Sequence, residues 1–426
     1  MIVSYAMIPV IQLRPHQQRG LEAMLKYRIG QLIMPTGAGK TLTMIADAIK
    51  EFSNSDPQTI VVVAPRILLS EQLSAEFLEY VTNASVIHIH SGETRHFSTT
   101  KPSEIQYWNQ IVTSAFNPDA PKHKLIFTTY NSLQRLQQAD IHIDTIYFDE
   151  AHNSVKSHFF PATKHFSATA NRCYFFTATP KHSATISKPG MNDGSVYGQV
   201  ICNVAAPELV EGGFIVPPQV CVSQINAIRD KDDAAERDCM TLLDKILNED
   251  NMQKVLVAAP NTKVLVRMLA ETDFMTEVQS HGYDVLWVTA KYGAFINNKK
   301  VSRELFFDTL TAWGKDPEKK FIILHYSILS EGINCPGLTS CVLMRNMDYI
   351  AMAQTIGRVI RLHPDDSKRL SEGSLVPGQL KDYHKSYGFI HVPVYSNVGI
   401  ATAKRLQSVA ETIFVQGEPA ISTIKR

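Results

Sequence analysis

The stretch Pro35-Thr36-Gly37-Ala38-Gly39-Lys40-Thr41 constrains what this chain can fold into more than any other part of it. It follows a short apolar run, 30–34, that reads as a buried strand. It precedes 41–49, where apolar residues recur at helical spacing. Strand, glycine-bearing turn and helix in that order are the context of a phosphate loop. Gly37 and Gly39 can take backbone angles closed to other residues. Several N–H groups can then converge on one phosphate chain at the positive end of the helix. Thr36, Gly37, Ala38 and Gly39 line the cradle, and Lys40 brings a full charge to the β and γ phosphates. The Thr41 hydroxyl suits Mg2+, an ion that takes oxygen ligands.

A second motif, Asp149-Glu150-Ala151-His152, follows the apolar run 143–148. Its carboxylates therefore fall at the C-terminal end of a strand, the edge where ligands gather in open α/β sheets. Asp149 suits Mg2+, held through water, and Glu150 suits orienting and deprotonating an attacking water. Alone the tetrad is weak, because acidic pairs also occur as solvated loop residues. Its place after a strand, downstream of a phosphate loop, gives it meaning. The two motifs together predict an ATPase with ATP and Mg2+ as cofactors.

At 426 residues the chain is too long for one ordinary core and suits two domains. Strand-like runs at 59–64, 86–89, 125–128, 143–148 and 173–177 alternate with helical stretches, which predicts a parallel sheet covered by helices. Residues 97–124 read as an irregular insert containing one helix. Residues 181–220 break the rhythm with Pro189, Gly190, Gly194, Gly198, Pro207, Gly212, Gly213, Pro217 and Pro218. A boundary near 220 follows, so domain 1 covers 1–220. A second alternation, with strands expected at 254–259, 283–288, 320–324 and 341–344, makes 221–414 domain 2, and 415–426 reads as a loose tail.

Hydrophobic residues make up 44% and charged residues 19% of a chain with net charge +1, which describes a globular protein and excludes a disordered one. Neither half is a basic block, so any nucleic-acid contact must come from a local groove. The six cysteines (173, 202, 221, 239, 335 and 341) show no CxxC spacing and suggest reduced thiols in a cytoplasmic compartment, with no zinc site. No 18-residue apolar run and no basic-then-apolar leader is present, so neither a membrane span nor a secretory signal is expected.

Further motifs resemble a known family. Leu13-Arg14-Pro15-His16-Gln17 resembles the adenine-sensing Q-type motif of superfamily 2 helicases, with Gln17 as the base reader and Arg14 beside it. Ala64-Pro65-Arg66 resembles motif Ia, Thr128-Thr129-Tyr130 motif Ib, and Thr177-Ala178-Thr179-Pro180 motif III. The run from Ser330 to Pro336, with Gly332, resembles motif V, and Gln354-Thr355-Ile356-Gly357-Arg358-Val359-Ile360-Arg361 matches motif VI, QxxGRxxR. The resemblance covers about residues 12–363. It is nearest to the DEAH-type, UvsW-like phage recombination helicases and to the motor subunits of type III restriction enzymes.

That resemblance implies two tandem RecA-like domains with ATP in the cleft between them. It gives catalytic roles to Glu150, Gln354, Arg358 and Arg361. The two arginines, three apart on a predicted helix, would share a face and reach the γ-phosphate. His152, Thr177 and Thr179 would couple nucleotide state to nucleic-acid grip, and Arg66, Thr129 and Asn261 would contact nucleic acid. Motif V carries Asn334 where the family has aspartate, which puts its carboxylate role in doubt. Only Arg345 to Ala353 separate the preceding strand from Gln354, too little chain for a strand-separating hairpin.

His88 and His90, in a strand-like run, read as structural residues. Trp313 and Tyr349 read as packing residues before base platforms. The expected output is an ATP-dependent, sequence-independent DNA helicase or translocase. An RNA helicase, or a motor subunit whose output depends on a partner protein, are the alternatives. The small equipment beyond the core fits a compact viral protein or a subunit that borrows specificity.

Overall fold

The computed structural model describes residues 11–92, 94–113, 121–185, 187–326 and 337–424. The chain forms two compact units, Met1–Val204 with Ile421–Arg426, and Ala205–Ala420.

The first unit is built on a seven-stranded sheet in the order β3-β4-β2-β5-β6-β1-β8. Its strands are β1 (Ile29–Ile33), β2 (Thr59–Ala64), β3 (Ala84–Ile89), β4 (His123–Thr129), β5 (Thr145–Phe148), β6 (Arg172–Thr177) and β8 (Val200–Asn203), all paired in parallel. A short β7 (Lys181–Ser183) lies outside it. Parallel strands are covered on both faces and so read as continuous apolar runs. In β2 the sequence Thr-Ile-Val-Val-Val-Ala is buried at every position. Burying each such valine contributes about 1.5–3 kcal/mol relative to leaving it exposed.

The helix Lys40–Glu51 buries Met44, Ile45 and Ala48 under this sheet. It is also tied down by charge. Fully buried Asp47 accepts from the Tyr147 hydroxyl at 2.7 Å and from the Arg172 guanidinium at 2.7 Å. That anchors the helix carrying Lys40 to β5 and β6. Removing one partner of such a buried pair costs about 3–5 kcal/mol.

The second unit holds an eight-stranded sheet in the order β13-β12-β11-β14-β10-β15-β16-β9. Here β9 is Pro218–Ile225, β10 Lys254–Ala258, β11 Asp284–Thr289, β12 Gly293–Ile296, β13 Lys299–Val301, β14 Phe321–His325, β15 Ser340–Leu343 and β16 Gly388–Tyr395. All pair in parallel except the β11-β12-β13 meander at one edge. Its β12–β13 turn places Asn297 and Asn298 at φ 44° and 65°, the left-handed pair that a two-residue hairpin turn demands.

The division falls at 204/205, ahead of the position near 220 read from the sequence. The helix Ala206–Glu211 packs on Ile400–Phe414, and β9 pairs with β16 over eight positions, so both belong to the second unit. Pro218 opens β9 at a sheet edge, where a missing N–H is tolerated. The end of the chain is not a loose tail either. Residues Ser422–Ile424 form β17, which pairs in parallel with β7. Among the described residues no helix is long and apolar enough to cross a membrane.

Candidate functional site

The loop after β1 turns through two left-handed glycines, Gly37 at φ 91° and Gly39 at φ 77°. Gly39 is the N-cap of Lys40–Glu51, so the helix N-terminus opens onto the loop. A Cβ at Gly39 would lie 2.2 Å from Gln17 Nε2, so two constraints select glycine there. The loop is clamped from below. His16 Nε2 lies 2.8 Å from the Ala38 carbonyl oxygen, and the Gln17 amide donates to the carbonyls of Ala38 and Gly39 at 3.1 and 3.3 Å. The Gln17 oxygen accepts from the Arg14 backbone N–H at 2.9 Å. Gln17, expected to read a base, is 1% exposed, and its amide nitrogen is engaged with the loop. Burial lowers the pKa of the neighbouring Arg14 guanidinium. His16 carries no assigned role in the sequence motif that contains it.

The acidic motif sits at the carboxyl end of β5. Asp149 donates its N–H to Val63 O at 2.9 Å, and its carbonyl accepts from the Tyr130 hydroxyl at 2.9 Å. Glu150 then takes φ 45°, a left-handed conformation rare outside glycine and asparagine. Such a residue stores about 1–3 kcal/mol of strain. The turn brings Glu150 Oε1 to 3.8 Å from Lys40 Nζ and Oε2 to 3.5 Å from His152 Nδ1. Asp149 is only 7% exposed. Burial first, then the charge of Glu150, push its carboxyl up to about 7, and Lys40 opposes the shift. One buried and one partly buried carboxylate against one lysine leave the site short of positive charge, which a dication would supply.

His152 links this pair to β6. Its Nε2 accepts from the Asn153 amide at 3.2 Å, which leaves the proton on Nδ1 to be donated to Thr177 Oγ1 at 3.0 Å. Thr177 Oγ1 also accepts the Thr179 N–H at 3.1 Å, and Thr177 O accepts from Met34 N–H at 2.9 Å. The residues named as coupling elements thus form one continuous chain from Glu150 to the end of β6, with Thr177 bonded to the start of the phosphate loop. Asn153 fixes the His152 tautomer and was not singled out from the sequence. Its only signal was adjacency to the acidic motif.

The candidate nucleic-acid residues differ. Arg66 is exposed past the end of β2 and caps Ile67–Leu78. Asn261 is exposed but uses its oxygen as the N-cap of Thr262–Glu271, accepting from Val264 N–H at 2.9 Å. Thr129 is 3% exposed at the end of β4. Trp313 packs near Phe321, with Lys319 Nζ 4.5 Å from its ring centre, and Tyr349 is half-exposed.

In the second unit Gln354 and Arg358 lie buried on the helix Tyr349–Val359. Gln354 Nε2 has no hydrogen-bond partner among the described residues. Arg361 does not share that helix, contrary to the sequence reading. The helix ends at Val359, and Arg361 forms an antiparallel bridge with Ile215. The cause is local. Lys385 Nζ gathers the carbonyls of Leu338, Val359 and Arg361, and Val216 N–H takes the Ile360 carbonyl at 2.8 Å. His325, fully enclosed at the end of β14, is pushed down to about 3 by burial and by Arg358 and Arg345. Gly332, Asn334 and the rest of motif V lie outside the described residues. Cys173, Cys202, Cys239 and Cys341 are buried thiols and Cys221 is half-buried, none in a disulfide.

Residues 10–182 match the family described as "Type III restriction enzyme, res subunit". No curated protein matches the sequence. Among solved structures, the ATP-dependent Type ISP restriction-modification enzyme LlaBIII bound to DNA superposes with a TM-score of 0.71 at 17% identity, covering 98% of this chain and 31% of that one. A nuclease-deletion mutant of the Type ISP enzyme LlaGI, with a DNA substrate mimic, gives 0.65 at 18% identity, with 96% and 30% covered. Mss116p bound to ssRNA and AMP-PNP gives 0.60 at 12% identity, with 97% and 75% covered. This chain therefore spans about a third of the two restriction enzymes. Residues 10–182 thus match the res-subunit family model, and the chain as a whole shares with these structures a two-unit RecA-like α/β fold.

Proposed function

We propose that this chain is an ATP- and Mg2+-dependent motor that moves along DNA without sequence preference and remodels replication, recombination or repair intermediates. The observation that carries the reading is Glu150, held left-handed with Oε1 3.8 Å from Lys40 Nζ beside buried Asp149. The cradle of Gly37 and Gly39 fits a phosphate chain, because both glycines turn the backbone toward a helix N-terminus. Thr41 and Asp149 fit Mg2+, since Asp149 sits in a pair starved of positive charge. ATP with Mg2+ supplies the activated phosphoryl group and the charge that stabilises its transfer.

The chain's own residues do the rest. Thr36 to Lys40 hold the phosphates. Lys40 is drawn from Glu150 toward them, which releases the carboxylate to orient a water and take its proton. Gln354, Arg358 and Arg361, with Gly332 of motif V, serve the nucleotide from the second unit. Arg361→Ala should keep ATP binding and lose turnover by about 10³-fold or more. His152, Thr177 and Thr179 pass the state of Glu150 to the end of β6, and Arg66 and Asn261 contact the nucleic-acid backbone. Thr129 would join them only after a rearrangement that exposes it.

The restriction-enzyme profile and the DNA-bound neighbours favour DNA. An RNA substrate is the second reading, since Mss116p with this fold is bound to ssRNA. A motor subunit whose output depends on a protein partner is the further alternative, compatible with either nucleic acid. The deciding measurement is ATP turnover with single-stranded, duplex and forked DNA and with RNA, using Lys40→Ala as control. Stimulation by DNA supports the reading. Stimulation by RNA alone replaces it with the RNA motor, and turnover by Lys40→Ala equal to wild type sinks both.

A further inference from the structure

We propose that Glu71, His88 and His90 form a binding site for a transition-metal dication of the zinc class, at the carboxyl end of edge strand β3 and apart from the phosphate cradle. Glu71 projects from the helix Ile67–Leu78, His88 belongs to β3, and His90 follows its last residue. Their donor atoms converge. His88 Nδ1 and His90 Nε2 are 3.1 Å apart, and Glu71 Oε1 lies 3.3 Å from His90 Nε2 and 3.7 Å from His88 Nδ1. A point equidistant from three atoms so spaced lies about 2.0 Å from each, the bond length zinc makes to imidazole nitrogen and carboxylate oxygen.

Further features fit a ligand set. The two imidazoles are 1% and 0% exposed, while the Glu71 side chain is 30% exposed, so the cluster opens to solvent on the carboxylate side. Glu71 Oε1 is buried and has no hydrogen-bond partner, although the Thr94 hydroxyl bonds the carboxylate. The outer nitrogen of His88, Nε2, lies 3.0 Å from Ser74 Oγ, the kind of outer contact that fixes a ligating ring. Burial lowers the pKa of both rings, His88 to about 3, so both stay neutral and able to donate a lone pair at neutral pH. The His96 ring stacks parallel to His88 at 5.6 Å. Two imidazoles in a three-ligand set select zinc-class ions over Mg2+ and Ca2+, which take oxygen.

Loading requires one rearrangement. The Gly92 N–H donates to His90 Nδ1 at 3.2 Å, which puts the His90 proton on Nε2, the atom that must bind. The proton has to move to Nδ1 and the Gly92 amide has to turn away. Without metal, the same atoms make a closed hydrogen-bond chain from Gly92 through both histidines to Ser74. The bound ion would tie the edge strand to the helix whose N-cap is Arg66.

The test is calorimetric titration of the full-length, chelator-stripped chain with ZnCl2, with Co2+ absorption as a second probe. One equivalent should bind and raise the unfolding temperature, with no competition from Mg2+. His90→Asn and His88→Asn should each weaken binding at least tenfold and abolish the Co2+ spectrum. Ser74→Ala should weaken it about tenfold through the ring it orients. Metal-free unfolding of each variant checks the fold, and should His88→Asn fail to fold, His90→Asn and Ser74→Ala carry the test. Lys40→Ala should bind zinc as wild type does. No zinc bound, or unchanged affinity in His90→Asn, overturns the proposal and leaves the cluster a hydrogen-bond chain. The outcome is independent of nucleotide turnover, so this inference and the proposed motor function fail separately.

Discussion

Two carboxylate–histidine clusters stand at the carboxyl edge of the same parallel sheet, and they are built from similar residues to opposite ends. At β5 the group is Asp149, Glu150 and His152, with Lys40 3.8 Å from Glu150. At β3 it is Glu71, His88 and His90. In the first, the histidine lies beside Glu150, with Nδ1 3.5 Å from Oε2, but its nitrogens are engaged by Thr177 and Asn153. In the second, the two ring nitrogens themselves face the carboxylate. The first therefore offers oxygens and suits a hard ion with phosphate, and the second offers nitrogens and suits a softer one. Which atoms the neighbours leave facing inward decides the chemistry, and residue type alone does not.

The largest effect that would sharpen this contrast belongs to Glu150. Glu150→Gln keeps the shape of the first cluster but cannot accept a proton, so turnover should fall by about 10²–10⁴ while ATP still binds. Single-turnover kinetics with nucleotide-binding titration check it. Wild-type turnover in Glu150→Gln would break the assignment of the first cluster as catalytic.

Asp149 tests the electrostatic half of the comparison. Its carboxyl is raised in the fold from the usual 3.8 to about 7, so between those values the folded chain holds a proton that the unfolded chain has released. Stability from this group is therefore lost as pH rises from about 4 to about 7. Asp149→Asn should remove that dependence and stabilise the Mg2+-free protein above pH 7, by on the order of 1–3 kcal/mol. Urea unfolding at pH 5 and pH 8 measures it. Mg2+ affinity of the wild type should rise through the same window, because the ion needs the ionised form. An identical pH slope in wild type and Asp149→Asn would show that Asp149 is not starved of charge.

Gln17 offers a smaller effect. Its amide holds two loop carbonyls, so Gln17→Ala should loosen the cradle and weaken binding of ATP and of GTP alike, by about 1–2 kcal/mol, which is five- to thirtyfold. A base reader would lose ATP selectively. Equilibrium binding of the two nucleotides separates the positioner from the reader.

Much of this was legible in the sequence, for identifiable reasons. Fully buried parallel strands carry an apolar signal that does not depend on distant partners, so the strand at 59–64 was expected at the bounds observed for β2. Glycine before lysine announced the cradle because the backbone there needs φ above zero. Strand β9 escaped because its alternating residues sit at an exposed edge, and Pro217-Pro218 read as a terminator. Arg361 was misplaced because the stop at Val359 is imposed by Lys385, far along the chain and donating from its side chain. The β3 cluster was dismissed as structural because one-dimensional spacing shows His88 and His90 but cannot bring Glu71 to 3.3 Å.

The finest distinction between the clusters lies at Thr177. Its hydroxyl oxygen is the shared acceptor for His152 Nδ1–H and the Thr179 N–H, all buried. Thr177→Val preserves volume and removes that acceptor, leaving two buried donors unmet at a cost of about 1–3 kcal/mol each where no water enters. A measurable drop in unfolding free energy is therefore expected. The more informative loss is in coupling. If the link from Glu150 to β6 carries nucleotide state, stimulation of turnover by nucleic acid should fall by about fivefold or more, with basal turnover changing less. The matching substitution in the other cluster, Ser74→Ala, should leave that stimulation ratio alone, since Ser74 touches only His88 among the atoms argued here. Equal losses of stimulation in the two variants would mean that both act through general loosening of the sheet edge, and the division of labour between the clusters would fall.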